Sequence, residues 1–256
     1  MKAVGFWQPG ESTSVIEDLS LPHPSMPKGR DLLIRVRAVA VNPRDLKSRR
    51  NISPSAGNPV VMGYDASGVV EATGPEVTLF RPGDHVFYAG VLDRQGANAE
   101  FQLVDERITG IKPAALSFEA AASVPLTGLT AWEMLFDRLQ LSVNGDADQT
   151  LLMLGGAGGV PCMAIQLART LSRVNIIGTA SRQESVRAVR GFGAHYVLDH
   201  SCALAPQVAS LDRRPHWFRL PYERRSGCIP HTLFRDPRRI LWQQPSDSGS
   251  AFCFFL

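Results

Sequence analysis

The stretch LLMLGGAGGVPCMAIQLAR, residues 151–169, constrains the fold of this 256-residue chain more than any other feature. An apolar run enters a cluster of glycines, and a segment with the apolar spacing of a helix leaves it. Glycines let a backbone turn tightly against a pyrophosphate, and the N–H groups and dipole of the following helix favour its charge. A second apolar run, VNIIGTA (174–180), follows at the distance that a βαβ unit requires. The sequence therefore predicts a doubly wound parallel sheet that binds a dinucleotide.

The predicted phosphate-binding residues are those of the turn and of the first helical positions. They are Gly155, Gly156, Ala157, Gly158, Gly159 and Val160. Pro161 stands where such turns usually have their last glycine, which serves close packing between helix and strand rather than phosphate contact. Proline lacks an N–H group but is compatible with the start of a helix, so we expect weakened rather than abolished binding. The alternative is a glycine-rich loop that only packs a helix on a sheet.

The end of the second strand indicates which dinucleotide is preferred. Proteins that bind NAD place Asp or Glu there, on the ribose hydroxyls. This strand ends Thr179-Ala180-Ser181-Arg182, and no acidic residue occurs before Glu184. Ser181 and Arg182 can instead bind a 2′-phosphate by hydrogen bonding and charge, which favours NADPH over NADH. The alternative is that Arg182 simply caps a solvated loop.

In the part of the chain before this predicted sheet, the sequence pattern changes once, from strand-like to helical. Residues 1–120 contain short strand-like segments between Gly and Pro turns, such as LLIRVRAVAVN (32–42), and predict a small barrel or sandwich. The apolar spacing then becomes helical, with Ser117 as a helix cap and Pro125 between two helices. We expect a first domain over residues 1–120 and a partial dinucleotide-binding domain over residues 121–211.

The composition excludes several classes of protein. The net charge of +3 is too small to argue for nucleic acid binding, and no apolar run approaches the ~20 residues that a membrane span needs. The N-terminus lacks the apolar core of a signal peptide. The four cysteines show no close pair and no metal-ligand spacing. The sequence predicts a cytoplasmic protein with free thiols.

As an ordered set, several segments resemble the medium-chain dehydrogenase/reductase superfamily, in its zinc-type alcohol dehydrogenase-like and quinone oxidoreductase branch. The resemblance covers roughly residues 1–211 and is carried by VAVNPRDLKSR (39–49), GYDASGVVEATG (63–74), FRPGDHVF (80–87), NAEFQLVDE (98–106), AASVPLTGLTAWEML (121–135), LLMLGGAGGVPCMAIQLAR (151–169) and FGAHYVLDH (192–200). It implies a GroES-like barrel followed by a Rossmann domain, and NAD(P)H-dependent reduction of a carbonyl, quinone or enone. Members often form homodimers through the Rossmann sheet edge, and the sequence leaves the oligomeric state of this chain open.

The resemblance does not extend to the zinc ligands of the family. Zinc-dependent relatives use Cys, His and Cys, whereas this chain has Asn42, Tyr64 and, near the third position, Ser123. Zinc requires a tetrahedral set of nitrogen or sulfur ligands, so we expect no zinc and no other metal. The Asn42 amide and the Tyr64 hydroxyl are then the candidate catalytic groups that polarise the substrate oxygen. Alternatively, Tyr64 is only an amphipathic wall residue of the cleft.

The resemblance also suggests roles for three further polar residues. Thr130, in the segment GLTAW, matches a family position near the nicotinamide, or is a helix-interior threonine that bonds the backbone. Asp45 and Lys47 orient their loop or meet the cofactor, or are solvated charges. The predicted activity is hydride transfer from NADPH to a small conjugated carbonyl or quinone, with neither nucleic acid nor membrane as a partner.

The family pattern stops after residue 211. The complete fold needs several further βα units of about 30 residues each, and only residues 212–256 remain. This segment is rich in Arg without Lys, and it shows no sustained strand or helix period. We expect it to be a disordered tail or out-of-frame or otherwise aberrant sequence, with a basic tail that binds nucleic acid or an acidic partner as the alternative. The alternative function of the chain is therefore that of a truncated, catalytically inactive family member.

Overall fold

The computed structural model describes residues 1–211, apart from Ala56, Asp146 and Asp148, together with the backbone of Cys253–Phe255. The predictions for residues 212–252 and residue 256, including an aberrant reading frame, lie outside the described residues. The chain divides after Leu126 into two compact units. The functional boundary between residues 120 and 121 stays a prediction.

The first unit is built on two antiparallel sheets. A three-stranded sheet contains β1 (Lys2–Phe6), β2 (Glu17–Ser20) and β4 (Val60–Val61), in the order β2-β1-β4. A five-stranded sheet contains β3 (Asp31–Ala40), β5 (Asp65–Thr73), β6 (His85–Ala89), β7 (Phe101–Asp105) and β8 (Thr109–Ile111), in the order β7-β3-β5-β6-β8. Buried apolar side chains of the second sheet form its core, among them Leu32, Ile34, Val70, Val86 and Val104. The predicted strand-rich first domain is confirmed.

The strands of this unit form no closed barrel among the described residues; the strand and turn pattern had predicted a small barrel or sandwich, and the family resemblance a GroES-like barrel. The strands β7 and β8 remain the edges of the five-stranded sheet. Residues 96–98 run as irregular backbone, and their amides bond to the carbonyls of residues 61–63 instead of extending a strand. One isolated bridge pairs Ala3 of β1 with Ala99, which precedes β7, within the described part of the unit.

Short helices and irregular segments connect the strands of the first unit, and helices begin the second. The helices are the 3-10 helices Thr13–Val15 and Glu106–Ile108 and the α-helices α1 (Pro43–Asn51), α2 (Phe118–Ala122) and α3 (Pro125–Trp132). Ser117 caps α2 by accepting a hydrogen bond from the Ala120 N–H at 3.2 Å, and Pro125 begins α3, as predicted. After α3 the chain winds as a π-helix over Glu133–Arg138, in which the Leu139 N–H bonds to the carbonyl five residues earlier.

The second unit contains the predicted βαβ sheet. Its parallel strands are β9 (Thr150–Met153), β10 (Asn175–Thr179) and β11 (Tyr196–Leu198), and its helices are α4 (Gly159–Leu171), α5 (Gln183–Gly191) and α6 (Leu204–Ala209). Leu151 and Ile176 pack into one apolar cluster, whereas Leu152 and Ile177 pack into another. Strands buried on both faces are typical of a doubly wound sheet. The backbone of β12 (Cys253–Phe255) pairs antiparallel with β9, so the sheet is mixed rather than purely parallel, and the predicted disorder of the tail is wrong for these three residues.

Two findings bear on the predictions from composition. Within the described part of the chain, no helix has the length and apolar character that crossing a membrane demands. The described cysteines, Cys162 and Cys202, carry free thiols, in agreement with the sequence analysis.

Candidate functional site

The first group of candidate residues lies where α1 begins. Asn42 is the N-cap, Pro43 is the first helical residue, and Oδ2 of Asp45 accepts a hydrogen bond from the Asn42 N–H at 2.7 Å. Proline suits this position because its missing N–H would have no intrahelical partner. A carboxylate in the first turn also interacts favourably with the positive end of the helix. The pattern Asn-Pro-x-Asp is the sequence signal for this helix, which the strand-rich interpretation of the first domain missed.

A buried carboxylate holds the Asn42 side chain. Nδ2 of Asn42 donates to Oδ2 of Asp65 at 2.9 Å, and Oδ1 of Asp65 accepts from the backbone N–H of Leu126 at 2.8 Å. Asp65 is the first residue of β5 and is fully buried, while Asn42 is 8% exposed. The structure thus brings Asn42 into direct contact with an acid that the sequence analysis did not select.

The neighbouring Tyr64 is also held within the first unit. Its hydroxyl donates to Oγ of the buried Ser48 at 2.8 Å, and Tyr64 itself is 4% exposed. The Gly63 N–H donates to Oδ1 of Asp45 at 3.2 Å, and Gly63 has a φ of +101°, which strains any residue with a side chain. These bonds join α1 to the start of β5. We call the set that they connect the carboxylate cluster: Asn42, Asp45, Ser48, Tyr64 and Asp65.

Burial changes the acidity of both carboxyl groups in the carboxylate cluster. It raises the pKa of Asp65 to about 6, against the opposing hydrogen bonds from Leu126 and Asn42, and the Asp45 charge adds to the rise. Burial also raises the pKa of Asp45, although backbone N–H donors oppose that shift. Removal from water disfavours the ionised form of a carboxyl group. Asp65 therefore changes between acid and carboxylate just below neutral pH.

The side chains at the zinc-ligand positions of the family are hydrogen-bonded to the protein. Asn42 and Tyr64 donate within the carboxylate cluster, and Oγ of Ser123 donates to the carbonyl of Ala120 at 2.9 Å. Across the described ranges, no group of three or more His, Cys, Asp or Glu side chains is placed to hold a metal ion. Amide and hydroxyl groups also differ from the imidazole, thiolate and carboxylate ligands that zinc prefers. The residues present do not fit a catalytic zinc.

The second group of candidate residues is the turn between β9 and α4, residues 155–160, which we call the glycine turn. Gly155 has a φ of +60°, a conformation that favours glycine. Its N–H donates to Oγ1 of Thr179 at 3.0 Å, and the Gly156 N–H donates to the Thr179 carbonyl at 2.9 Å. The Gly158 N–H donates back to the Gly155 carbonyl at 2.8 Å. These donors fix the shape of the turn against β10.

The other amides of the glycine turn are open to a ligand. The N–H groups of Ala157, Gly159 and Val160 form no hydrogen bond with any described residue. Gly158 is the N-cap of α4, so these amides lie at the start of the helix, where N–H groups have no intrahelical partner. Amides at the positive end of a helix are suited to phosphate oxygens. The geometry of the glycine turn therefore fits the diphosphate of a dinucleotide.

Pro161 is the third residue of α4 and is buried. The N–H at this position would also lack an intrahelical partner, so proline removes no bond from the helix. Close packing depends on other residues: an added Cβ would lie 2.9 Å from Cγ2 of Val189 at Gly156, and 2.3 Å from its Cγ1 at Gly178. The approach of α5 to the sheet therefore relies on Gly156 and Gly178 rather than on residue 161.

The carboxyl end of β10 leads to the other predicted cofactor residues. Ser181 and Arg182 are both exposed, and Arg182 forms no ion pair within the part of the chain that the structure describes. His200 follows β11 and places Nδ1 3.0 Å from Oγ1 of Thr179, beside the glycine turn. The sequence analysis did not select Thr179 or His200 as cofactor residues, although Thr179 ends β10 and His200 follows β11, at the edge where dinucleotides bind in such sheets.

Thr130 is a partly exposed residue of α3. One turn earlier on the same helix, Thr127 is buried, and a Cβ added at Gly159 would lie 3.2 Å from its Cγ2. The start of α4 therefore packs against α3 at Thr127. The structure places Thr130 one helical turn from this contact, and Thr127 is a neighbour of the glycine turn that the sequence analysis missed.

Comparison with protein families and sequences relates the chain to alcohol dehydrogenases. The alcohol dehydrogenase GroES-like domain family matches residues 28–128, which confirms the predicted GroES-like character of the first domain. A zinc-type alcohol dehydrogenase-like protein from Staphylococcus aureus is 42% identical over 215 residues, which cover 82% of this chain and 63% of that protein. The chain thus spans less than two thirds of the length of this curated relative.

Solved structures give the same relationship. A protein from Rhizobium etli described as a zinc-dependent alcohol dehydrogenase is 51% identical, with a TM-score of 0.78 over 83% of this chain and 63% of that one. An NAD-dependent alcohol dehydrogenase is 30% identical, with a TM-score of 0.74 over 84% of this chain and 68% of that one. Quinone oxidoreductase from Escherichia coli, solved with NADPH, is 25% identical, with a TM-score of 0.67 over 81% of this chain and 61% of that one.

Proposed function

This chain belongs to the medium-chain dehydrogenase/reductase superfamily, in its zinc-type alcohol dehydrogenase-like and quinone oxidoreductase branch, and we propose that it is a nicotinamide-dependent reductase. Its proposed substrate is a quinone, an enone or another small carbonyl compound. The observation that carries this proposal is the set of amides at the start of α4 that have no partner among the described residues, together with the exposed Ser181 and Arg182 after β10. The NADPH bound to the quinone oxidoreductase from Escherichia coli supports the same choice of cofactor class.

The second unit would hold the cofactor, whose nicotinamide ring supplies the hydride. Ala157, Gly159 and Val160 would donate their N–H groups to the phosphates, while the other glycines keep the turn in shape. Ser181 and Arg182 would bind a 2′-phosphate, which makes NADPH the preferred cofactor. Thr130 is proposed as a further cofactor contact.

In the first unit, the Asn42 amide would polarise the substrate oxygen without zinc. One N–H of its Nδ2 donates to Asp65, and the same nitrogen carries a second N–H. The Tyr64 hydroxyl already donates to Ser48, so it would reach a substrate oxygen only by exchanging that bond. An oriented donor stabilises the negative charge that develops on the oxygen during reduction. Asn42 is therefore the first candidate catalytic group, and Tyr64 is the second.

Cofactor titration tests this proposal directly. The purified chain is titrated with NADPH and with NADH while cofactor fluorescence is followed, and we expect saturable binding that is tighter for NADPH. Reduction of an enone with NADPH deuterated on one face of C4 should then leave deuterium on carbon in the product for one face only. A soluble chain that binds neither cofactor would overturn the proposal and favour the catalytically inactive alternative. Turnover that disappears after treatment with a metal chelator would overturn the metal-free mechanism.

A further inference from the structure

The amide of Asn42 has two ends that differ in chemistry, and its role depends on which end faces the substrate. Nδ2 carries two donors, whereas Oδ1 only accepts. An ionised carboxylate is also only an acceptor, so it can bond to the Nδ2 end of an amide but not to the Oδ1 end. A carboxylate in contact with Asn42 therefore selects one of the two amide orientations.

Two acids of the carboxylate cluster restrain different parts of Asn42. Oδ2 of Asp45 accepts from the Asn42 backbone N–H at 2.7 Å, which fixes the N-cap of α1. Oδ2 of Asp65 accepts from Nδ2 at 2.9 Å, which fixes the side chain. Asp65 is itself held by the Leu126 N–H at 2.8 Å and by complete burial in β5. Asp65 is therefore fixed in place and cannot turn together with the amide of Asn42.

We propose that Asp65 is the positioning residue for Asn42: its carboxylate holds the Nδ2 end of the amide in place, so that the second N–H of Nδ2 stays directed as a donor for the substrate oxygen. The catalytic part of this proposal rests on the proposed function, whereas the orientation of the amide does not. Asp65 acts through Asn42 and is not itself a catalytic group.

The same arrangement predicts that the orientation is lost when Asp65 takes up a proton. A protonated carboxyl group carries an O–H donor, which pairs with Oδ1 and permits the amide to turn over. Asp45, on α1, is the titratable group whose charge acts on Asp65. The residues opposite Asp65 on β3 and β6 are Ala40 and Ala89, and its contact with Leu126 is through the backbone, so these neighbours contribute no titratable side chain.

Amide NMR of the full chain tests the orientation without any need for activity. The six asparagines are labelled with ¹⁵N in the side chain, and the Asn42 signal is identified by its absence from an Asn42→Ser sample. We expect the Asn42 side-chain signals to shift between pH 5 and pH 8 with a midpoint near 6. The shift should vanish in Asp65→Asn and persist in Asp18→Asn, a matched change at an exposed position on β2.

A pH-independent Asn42 amide in the wild type, or a titration that survives in Asp65→Asn, would overturn the proposal. Asp65→Glu keeps a carboxylate, so it should retain a titration of the Asn42 amide even if Asp65→Asn folds poorly. In kinetics, Asp65→Asn should lower kcat about 10-fold to 100-fold with the affinity for NADPH unchanged, and Asp65→Glu should recover part of the loss. A wild-type chain that lacks reductase activity but shows the amide titration would refute the proposed function and leave the orienting role of Asp65 supported.

Discussion

The carboxylate cluster and the glycine turn prepare their chemistry by opposite means. In the carboxylate cluster, polar side chains bond to one another inside the first unit, so Asn42 and Tyr64 are oriented in the absence of a ligand. In the glycine turn, backbone N–H groups supply the donors. Those of Ala157, Gly159 and Val160 have no partner among the described residues and can donate to a ligand. A donor that must act on a reacting atom needs a fixed direction, whereas a phosphate site needs several donors that no protein group already uses.

The largest effect that separates the two regions is expected from Asn42→Ala. Loss of the amide should lower kcat by about 10²-fold to 10³-fold, the usual effect of removing one oxyanion donor, while the affinity for NADPH stays unchanged. Steady-state kinetics and fluorescence titration measure the two quantities separately. Asn51→Ala, at the exposed end of the same helix, is the matched control and should leave both unchanged. A parallel loss of cofactor affinity would mean that the two regions do not have separate roles.

The pH dependence of stability tests the buried acid in the carboxylate cluster. The pKa of Asp65 rises from 3.8 to about 6 on folding, so its contribution to stability is complete below pH 3.8 and is lost as the pH rises through about 6. Asp65→Asn should remove this slope, worth roughly 3 kcal/mol or less, from the free energy of unfolding measured in urea between pH 4 and pH 7. Asp45, whose pKa is raised in the same direction, should leave a residual slope. An unchanged slope would show that Asp65 ionises as an exposed acid does.

The two regions also differ in how far the sequence predicts them. The determinants of the glycine turn are contiguous: a strand, the residues of the turn and a helix succeed one another, so residues 155–160 were placed correctly in a strand–turn–helix unit. The partners in the carboxylate cluster are 16 residues apart for Tyr64 and Ser48 and 23 apart for Asn42 and Asp65. Only the pairing of β3 with β5 and the unpredicted helix α1 bring them together.

Two features of the backbone go beyond what the local sequence pattern predicts. Local strand and turn signals predicted a small barrel or sandwich without deciding between them, because closure of a barrel depends on pairing between distant strands, and residues 96–98 bond instead as irregular backbone. The π-helix at Glu133–Arg138 lies in a segment with helical apolar spacing and differs from an α-helix in its hydrogen-bond spacing. In both cases local composition was interpreted correctly, and long-range or backbone geometry decided the outcome.

The packing behind the glycine turn gives the next effect in size. Gly178→Ala would place a Cβ 2.3 Å from Cγ1 of Val189, so we expect the free energy of unfolding to fall by about 1–3 kcal/mol and NADPH binding to weaken with it. Adding Val189→Ala should recover part of this loss, because it removes the methyl group that the new Cβ meets. A double-mutant cycle measured by urea unfolding reports the coupling. Additive effects of the two substitutions would show that this contact does not limit the approach of α5.

A smaller effect is expected at the end of β10. Arg182→Gln should weaken NADPH binding about tenfold, since one exposed charge-assisted contact contributes about 1.4 kcal/mol, and should leave NADH binding unchanged. Arg182 is the N-cap of α5, and Arg187→Gln removes an exposed charge from within that helix, so it serves as the control. If both variants lose the same affinity for NADPH, the general positive charge of α5, rather than Arg182, selects the cofactor.

The smallest effect is expected from Pro161→Ala. This substitution tests whether the number of backbone N–H donors limits phosphate binding at the glycine turn. Alanine restores an N–H at the third residue of α4, beside the open amides of Ala157, Gly159 and Val160. The phosphate already has these donors, so one more should strengthen NADPH binding less than about threefold. Cys162→Ala, one residue further on, adds no amide and should change the affinity less than Pro161→Ala does. Weaker binding in Pro161→Ala would mean that the fixed backbone angle of the proline, rather than the number of donors, determines how well the glycine turn receives a phosphate.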